Sequence, residues 1–406
     1  MSRLAKFIVI ALSLVIFLYV GIGYVLGRTS DDKTYRSLTV YGEVLQRVQM
    51  DYVDEPDLHL VTAGALHGLL EALDAQSGYL TPREYIDYKQ KLASTKKAET
   101  GVTLSKRFGY IVVVSVLPES PAQAVGLRSG DILEAIAGFT TRDMSVGQAM
   151  NLLAGDAGSA VRVAVVRRGR AEPQDMDLVR AQIGPQRIVT QKVEPDIMAL
   201  RLPTLDAGRA NEIREKLVQL DKQGIHKVVL DLRDCGRGDF AEAISIARLF
   251  VSSGTIATLR GQTVSRQTFT AEPAKVVWKN PVSLLISVST TGPAEVLAAG
   301  IAGNNRGDVV GERTFGLASE QKLIPLDDGA ALILTVASYY NSSGKSIIED
   351  GVAPTVAVRS GSDEQIDTSD GASSPNETVE PKPLSPEDPV LHKAIDLLKA
   401  PARKAA

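Results

Sequence analysis

Apolar and polar positions follow changing rhythms along this 406-residue chain, and each rhythm predicts a different kind of structure. The first is a solid apolar block. Phe7–Leu26 carries no charge and is mainly apolar; its twenty residues, at 1.5 Å each, span about 30 Å, the thickness of a bilayer core. Arg3 and Lys6 precede the block, while Arg28, Asp31, Asp32 and Lys33 behind it cancel. The positive-inside rule then predicts a single-pass signal anchor in an inner membrane, residues 1–28. The bulk of the chain is expected on the periplasmic or other extracytoplasmic side. A cleaved signal peptide is the alternative, but such signals have shorter apolar regions and an Ala-x-Ala-like site, and no clear site follows here.

The second rhythm is helical. Within residues 35–97, Tyr41–Val53 and Val61–Leu73 place apolar residues at roughly helical spacing. The string from Leu73 to Pro82 interrupts it, with Pro82 suited to the first turn of a further helix. From about Gly101 the period shortens to two. Tyr110–Val116 and Ala160–Arg167 read as strands, with Met144–Leu153 an amphipathic helix between them. From Ile188 the rhythm alternates. Strands at Ile197–Leu202 and Lys227–Arg233 and helices at Ala207–Leu220 and Phe240–Val251 predict a crossover sheet layered with helices. Residues 360–387 are rich in Ser, Pro, Asp and Glu, the composition of a disordered linker, and Asp388–Lys399 reads as a closing helix within 388–400. The fold class is therefore α/β and multidomain.

Composition adds mainly exclusions. A hydrophobic content of 44% and a charged content of 23% are ordinary for a globular protein, and a net charge of −3 gives no electrostatic case for nucleic acid. The four histidines, His59, His67, His226 and His392, have no metal-site spacing, so neither a metal nor a cofactor is expected. Cys235 is the only cysteine, which rules out an internal disulfide. A small buried side chain is the favoured reading for it, and a thiol exposed for intermolecular pairing is the other.

The strongest short motif is Ser120-Pro121-Ala122-Gln123-Ala124-Val125-Gly126-Leu127-Arg128-Ser129-Gly130-Asp131-Ile132. It resembles the PDZ signature Ser-Pro-Ala-x-x-Ala-Gly-Leu-x-x-Gly-Asp-x-Ile, placing a PDZ domain at 98–185. That resemblance implies strand addition of an extended peptide beside a loop of backbone N–H groups that holds its terminal carboxylate. Gly101, Val102, Thr103 and Leu104 sit where that loop belongs, with Val102 and Leu104 expected to line an apolar pocket. Where Thr103 stands the family usually has a second glycine.

A wider resemblance covers residues 35–358 and the end of the chain. Asp231-Leu232-Arg233-Asp234-Cys235-Gly236-Arg237-Gly238, Ser287–Ile301, Glu312–Ala318 and Gly351-Val352-Ala353-Pro354 resemble the corresponding stretches of the C-terminal processing (tail-specific) serine peptidases. The resemblance implies a ClpP/crotonase-like α/β core at 186–358. In that family the nucleophile lies in Ser-Ala-Ser-Ala-Ser-Glu, and the general base is the lysine of Thr-Phe-Gly-Lys-Gly. Aligned on Glu295, the nucleophile position is Gly292; aligned on Thr314-Phe315-Gly316, the lysine position is Leu317. Neither side chain can attack or titrate, so a serine–lysine mechanism cannot run as written. Gln321 matches the residue that orients the family's lysine. Arg237 and Gly238 fall on the oxyanion turn, Arg237 replacing the family's first glycine and being expected to fill or distort that side.

These residues imply a proteolytically inactive relative that binds protein C-terminal tails or unfolded envelope proteins, alone or as a homo- or hetero-oligomer with an active relative. Two alternatives are an active tail-specific endopeptidase with relocated groups (Thr290 or Thr291 with Lys322) and a structural envelope scaffold.

Overall fold

In the computed structural model the described residues are 32–93, 97–142, 144–167, 169–170, 172–359 and 388–400. The expected anchor Phe7–Leu26 and the expected linker 360–387 lie outside them. Among the described residues no helix is long and apolar enough to cross a membrane. The chain divides into two units, one ending at residue 65 and one beginning at residue 66.

The first unit holds α1 (Asp32–Asp51) and the start of α2 (Leu58–Glu71). Asp57 begins α2 by accepting the N–H groups of His59 and Leu60 at 2.9 and 3.2 Å. Leu38, Tyr41 and Val44 of α1 are exposed.

The second unit opens with the end of α2, β1 (Gly78–Leu80) and α3 (Pro82–Ala93). Asp74 fixes the turn between α2 and β1: its carboxylate accepts the N–H groups of Gln76 and Ser77 and the hydroxyls of Ser77 and Thr335. A short polar side chain bonding its own backbone two or three residues on is a standard turn device.

Next come β2 (Lys97–Ala98), β3 (Val102–Arg107), β4 (Tyr110–Val116), α4 (Pro121–Ala124), β5 (Ile132–Ile136), β6 (Phe139–Thr140), α5 (Val146–Leu153), β7 (Gly155–Asp156), β8 (Ala160–Val166) and β9 (Gln174–Val179). The main sheet runs β3-β4-β5-β8-β9, with β6 on β5, so β3 is an edge strand. The signature motif explains itself here. Ser120 caps the single turn α4 with Pro121 behind it, and Asp131 holds Arg167 through two contacts of 2.7 and 2.6 Å.

The remaining elements are β10 (Val189–Glu194), β11 (Ile197–Arg201), α6 (Arg209–Lys222), β12 (Lys227–Asp231), α7 (Phe240–Arg248), β13 (Thr255–Arg260), β14 (Gln267–Thr270), β15 (Val282–Ile286), α8 (Pro293–Gly303), β16 (Asp308–Gly311), β17 (Ser319–Pro325), β18 (Ala331–Tyr340), β19 (Val356–Ala357) and α9 (Pro389–Lys399). They build a sheet of order β10-β11-β12-β15-β16-β19, parallel from β11 onward. Alternate residues serve opposite faces, as the pleat requires. Leu200, Val228, Leu230, Leu284 and Val309 join the large core shared with α6, α7 and α8. Their neighbours Ala199, Val229, Leu285 and Val310 pack instead with Leu391, Ala394 and Ile395 of α9. Both faces are thus covered, which is why these strands read as continuous apolar runs. A second sheet, β1-β18-β13-β14 with β17 on β18, completes the core.

Candidate functional site

The site lies where β15 turns into α8. Gly292 caps α8 at φ 57° and ψ −119°, a conformation that L side chains rarely adopt. Pro293 follows at the first helical position, where its missing N–H costs nothing. A β-carbon built on Gly292 would meet nothing within 4 Å. At the position expected for a nucleophile, the chain thus turns sharply into α8 with open space and no side chain.

Glu295, fully buried on α8, ties the site together. Its Oε2 accepts the backbone N–H groups of Gly292 at 2.8 Å and Leu317 at 2.7 Å. Its Oε1 accepts the Thr314 hydroxyl at 2.5 Å and the Gly316 N–H at 2.6 Å. Gly292 and Leu317, the expected nucleophile and lysine positions, 25 residues apart in sequence, thus converge on one carboxylate oxygen. Burial raises this carboxyl from 4.5 to about 7, against the pull of those donors.

The neighbouring hydroxyls have structural duties. Thr290 Oγ1 donates to the Leu232 carbonyl at 2.9 Å and accepts the Ser287 N–H at 3.0 Å. Thr291 is buried with its hydroxyl 3.4 Å from the Gly236 carbonyl. Lys322 is exposed on β17. Gln321 is exposed as well and donates to Ser319 Oγ at 2.9 Å. Cys235 is buried, and burial pushes its thiol up, so it is not a reactive group.

The expectation that Arg237 fills the oxyanion side is corrected by its geometry. Its guanidinium engages Glu99 through contacts of 2.9 and 3.0 Å, drawn away by an opposite charge. Gly238, at φ 137°, has no room for a β-carbon, which would meet the Leu205 carbonyl at 2.4 Å. Gly236 is equally confined: a β-carbon would lie 2.2 Å from Ser115 Oγ and 3.0 Å from Thr103 Oγ1.

The 98–185 region therefore sits directly on the site. Besides Arg237–Glu99, the Arg107 guanidinium stacks 4.0 Å from the Phe315 ring, and Ser289 Oγ donates to Ser129 Oγ at 2.8 Å.

The peptide-binding residues separate in space. Gly101, at φ 82°, and Val102 border a cavity of about 230 Å³ between the start of β3, α5 and α3. Thr103 turns its hydroxyl to the Gly236 carbonyl at 3.4 Å, and Leu104 packs within the apolar core around β3–β9. Gly101 and Val102 thus border the cavity as expected, whereas the placement of Thr103 and Leu104 there is corrected, the strand being bulged between them. Glu295, Arg107 and Lys91 went unassigned in the sequence. Only Glu295 carried a signal, its fixed spacing from Gly292.

Comparison with known proteins supplies the family. Residues 196–358 match peptidase family S41, and residues 112–167 match the PDZ domain family. The carboxyl-terminal-processing protease of Picosynechococcus sp. is 30% identical over 305 residues, 73% of this chain and 72% of that protein. This chain belongs to the carboxy-terminal processing peptidase family. Within the family, the carboxy-terminal-processing protease of Bartonella bacilliformis is 29% identical over 336 residues, covering 81% of this chain and 76% of that protein. The solved photosystem II D1 C-terminal processing protease shares the fold, with a TM-score of 0.66 at 24% identity over 79% of this chain and 92% of its own.

Proposed function

We propose that this chain is a membrane-anchored, extracytoplasmic member of its family that binds protein C-terminal tails and does not cleave them. One observation carries the reading: the two backbone positions that should present nucleophile and base converge on Glu295 and bear only glycine and leucine. The locked hydroxyl of Thr290 and the exposed position of Lys322 argue against a relocated pair. Tail binding is supported by the edge position of β3 among the described strands, beside a cavity, the arrangement strand addition needs. The relatives are named for processing carboxy-terminal ends, so tails are the substrate class this chain would retain. Its partners are then tails of unfolded envelope proteins, or an active relative in a mixed oligomer.

The test of tail binding is a fluorescence-anisotropy titration with a labelled eight-residue peptide ending in leucine, as free acid and as C-terminal amide. The acid should bind at least about tenfold more tightly. Equal binding of the two forms leaves the PDZ fold a purely architectural role.

The uncharged run Phe7–Leu26 and the charges that flank it support an orientation with residues 28–406 outside the cytoplasm. Spheroplasts treated with external protease should lose the soluble region. Full protection until the membrane is broken would reverse the orientation.

A further inference from the structure

We propose that Lys91, which belongs to α3 and not to the PDZ fold, supplies the cation that receives the terminal carboxylate in the groove. The proposal deepens the tail-binding reading above and rests on it.

The cavity beside β3 has a polar end and apolar walls. Its polar end is the backbone at Gly101 and Val102, where Val102 lies on the free edge of the sheet; Leu92, Met150 and Leu153 give it apolar walls. Gly101 must be glycine, because a β-carbon there would lie 2.2 Å from that of Ser120. Two charged side chains border this space, Glu99 and Lys91. Glu99 is already neutralised by both nitrogens of the Arg237 fork. Among the described residues Lys91 forms no salt bridge. Its ammonium donates to the Asn151 carbonyl at the C-terminal end of α5, a neutral acceptor.

Burial and then the charge of Arg180 push the Lys91 ammonium below its usual range, with only Asp87 opposing them. A cation in that state gains most from an anion brought into the cavity. The walls admit an apolar side chain and the backbone end can pair with an extended strand. The ligand these features fit together is a C-terminal residue with an apolar side chain and a free carboxylate. A partner amidated at its end, or an internal segment, leaves Lys91 with the neutral carbonyl alone.

The bond to Asn151 gives Lys91 a second duty, closing the end of α5. Arg180 shares that duty, donating to the Leu153 and Leu152 carbonyls at 3.0 and 2.7 Å, and it does not border the cavity. It therefore serves as the control.

The experiment titrates the full chain with the acid and amide peptides described above, for wild type, Lys91→Met, Lys91→Arg and Arg180→Met, each checked by circular dichroism. Lys91→Met should weaken the acid about tenfold and leave the amide unchanged, while Lys91→Arg keeps most of the acid preference. Arg180→Met should keep the wild-type acid-to-amide ratio. If Lys91→Met also keeps that ratio, the carboxylate is held by backbone alone and the proposal is wrong, while tail binding stands. If Arg180→Met loses it as Lys91→Met does, support of α5 is the cause and the proposal again fails. A wild type that binds acid and amide equally removes the tail-binding reading and the proposal with it.

Discussion

The wild-type protein will leave an unfolded, tail-tagged substrate uncut, and neither Gly292→Ser nor Leu317→Lys alone will start cleavage. Loss of a serine nucleophile costs on the order of a millionfold in turnover, and nucleophile and base act as one unit, so restoring one without the other recovers little. Both positions can accept the change. A serine at 292 has open space in front of it, though its backbone at φ 57° charges about 1–3 kcal/mol of strain. A lysine at 317 keeps its backbone N–H on Glu295 Oε2, and so begins from the same anchor as residue 292. The double variant is the minimum that should show activity. Adding Arg237→Gly restores the family's glycine and also cuts the ion pair to Glu99 that helps seat the PDZ fold over the site. Because the Arg237 guanidinium is already held by Glu99, away from the oxyanion side, and the substitution adds no N–H donor, the triple variant should gain nothing over the double. The contrary result is specific. Wild-type cleavage abolished by Thr290→Ala, Thr291→Ala or Lys322→Ala, in a protein that still folds, would establish a relocated active site.

Glu295→Gln should destabilise the fold by about 2–4 kcal/mol at acidic pH, and the penalty should shrink as pH rises. The amide keeps one oxygen for Thr314 and Gly316, but sets an NH₂ group against the N–H groups of Gly292 and Leu317, leaving buried donors unpaired at about 1–3 kcal/mol each. The pH dependence has a definite sign. Burial raises the carboxyl from 4.5 to about 7, so the group favours the folded state fully below about pH 4.5 and loses that contribution as pH rises through 7. Thr314 is the one partner able to turn its hydroxyl and accept the added proton. Glutamine does not titrate. Denaturant unfolding at pH 5 and pH 8 should therefore show the gap between wild type and variant narrowing by about 2–3 kcal/mol. A gap that stays constant means that the four donors keep Glu295 ionised throughout.

The elements of this fold were legible where the pattern is local. Tyr110–Val116 is a strand with those limits, and the apolar run at Lys227 ends at Asp231, two residues before the expected Arg233. Asp231 is the last residue in the ladder, paired with Arg201 and Leu285, and its carboxylate holds the Arg233 guanidinium just beyond the strand end. The predicted helix at Ala207–Leu220 begins instead at Arg209, after Gly208 turns at φ 89°. Site residues were legible only where they fall in contiguous motifs. Gly292 and Leu317 could be placed from their flanking residues, whereas the ring of donors on Glu295 is a product of tertiary structure. Arg237 meets Glu99 across 138 positions of sequence, and nothing near either residue announces the other. Lys91 reads as one more charged residue on a helix until α3 lies beside the groove.

The helix α9 closes one face of the central sheet from the far side of the 360–387 segment. Asp388 caps it, accepting the N–H groups of Val390 and Leu391 at 3.0 and 3.1 Å, and the same carboxylate takes Arg233 at 2.6 Å. In terms of biogenesis, every strand of that sheet emerges before the piece that covers Ala199, Val229, Leu285 and Val310. A nascent chain ending before residue 388 presents a bare apolar face and an arginine lacking one of its two carboxylates, the surface that quality-control machinery reads as incomplete.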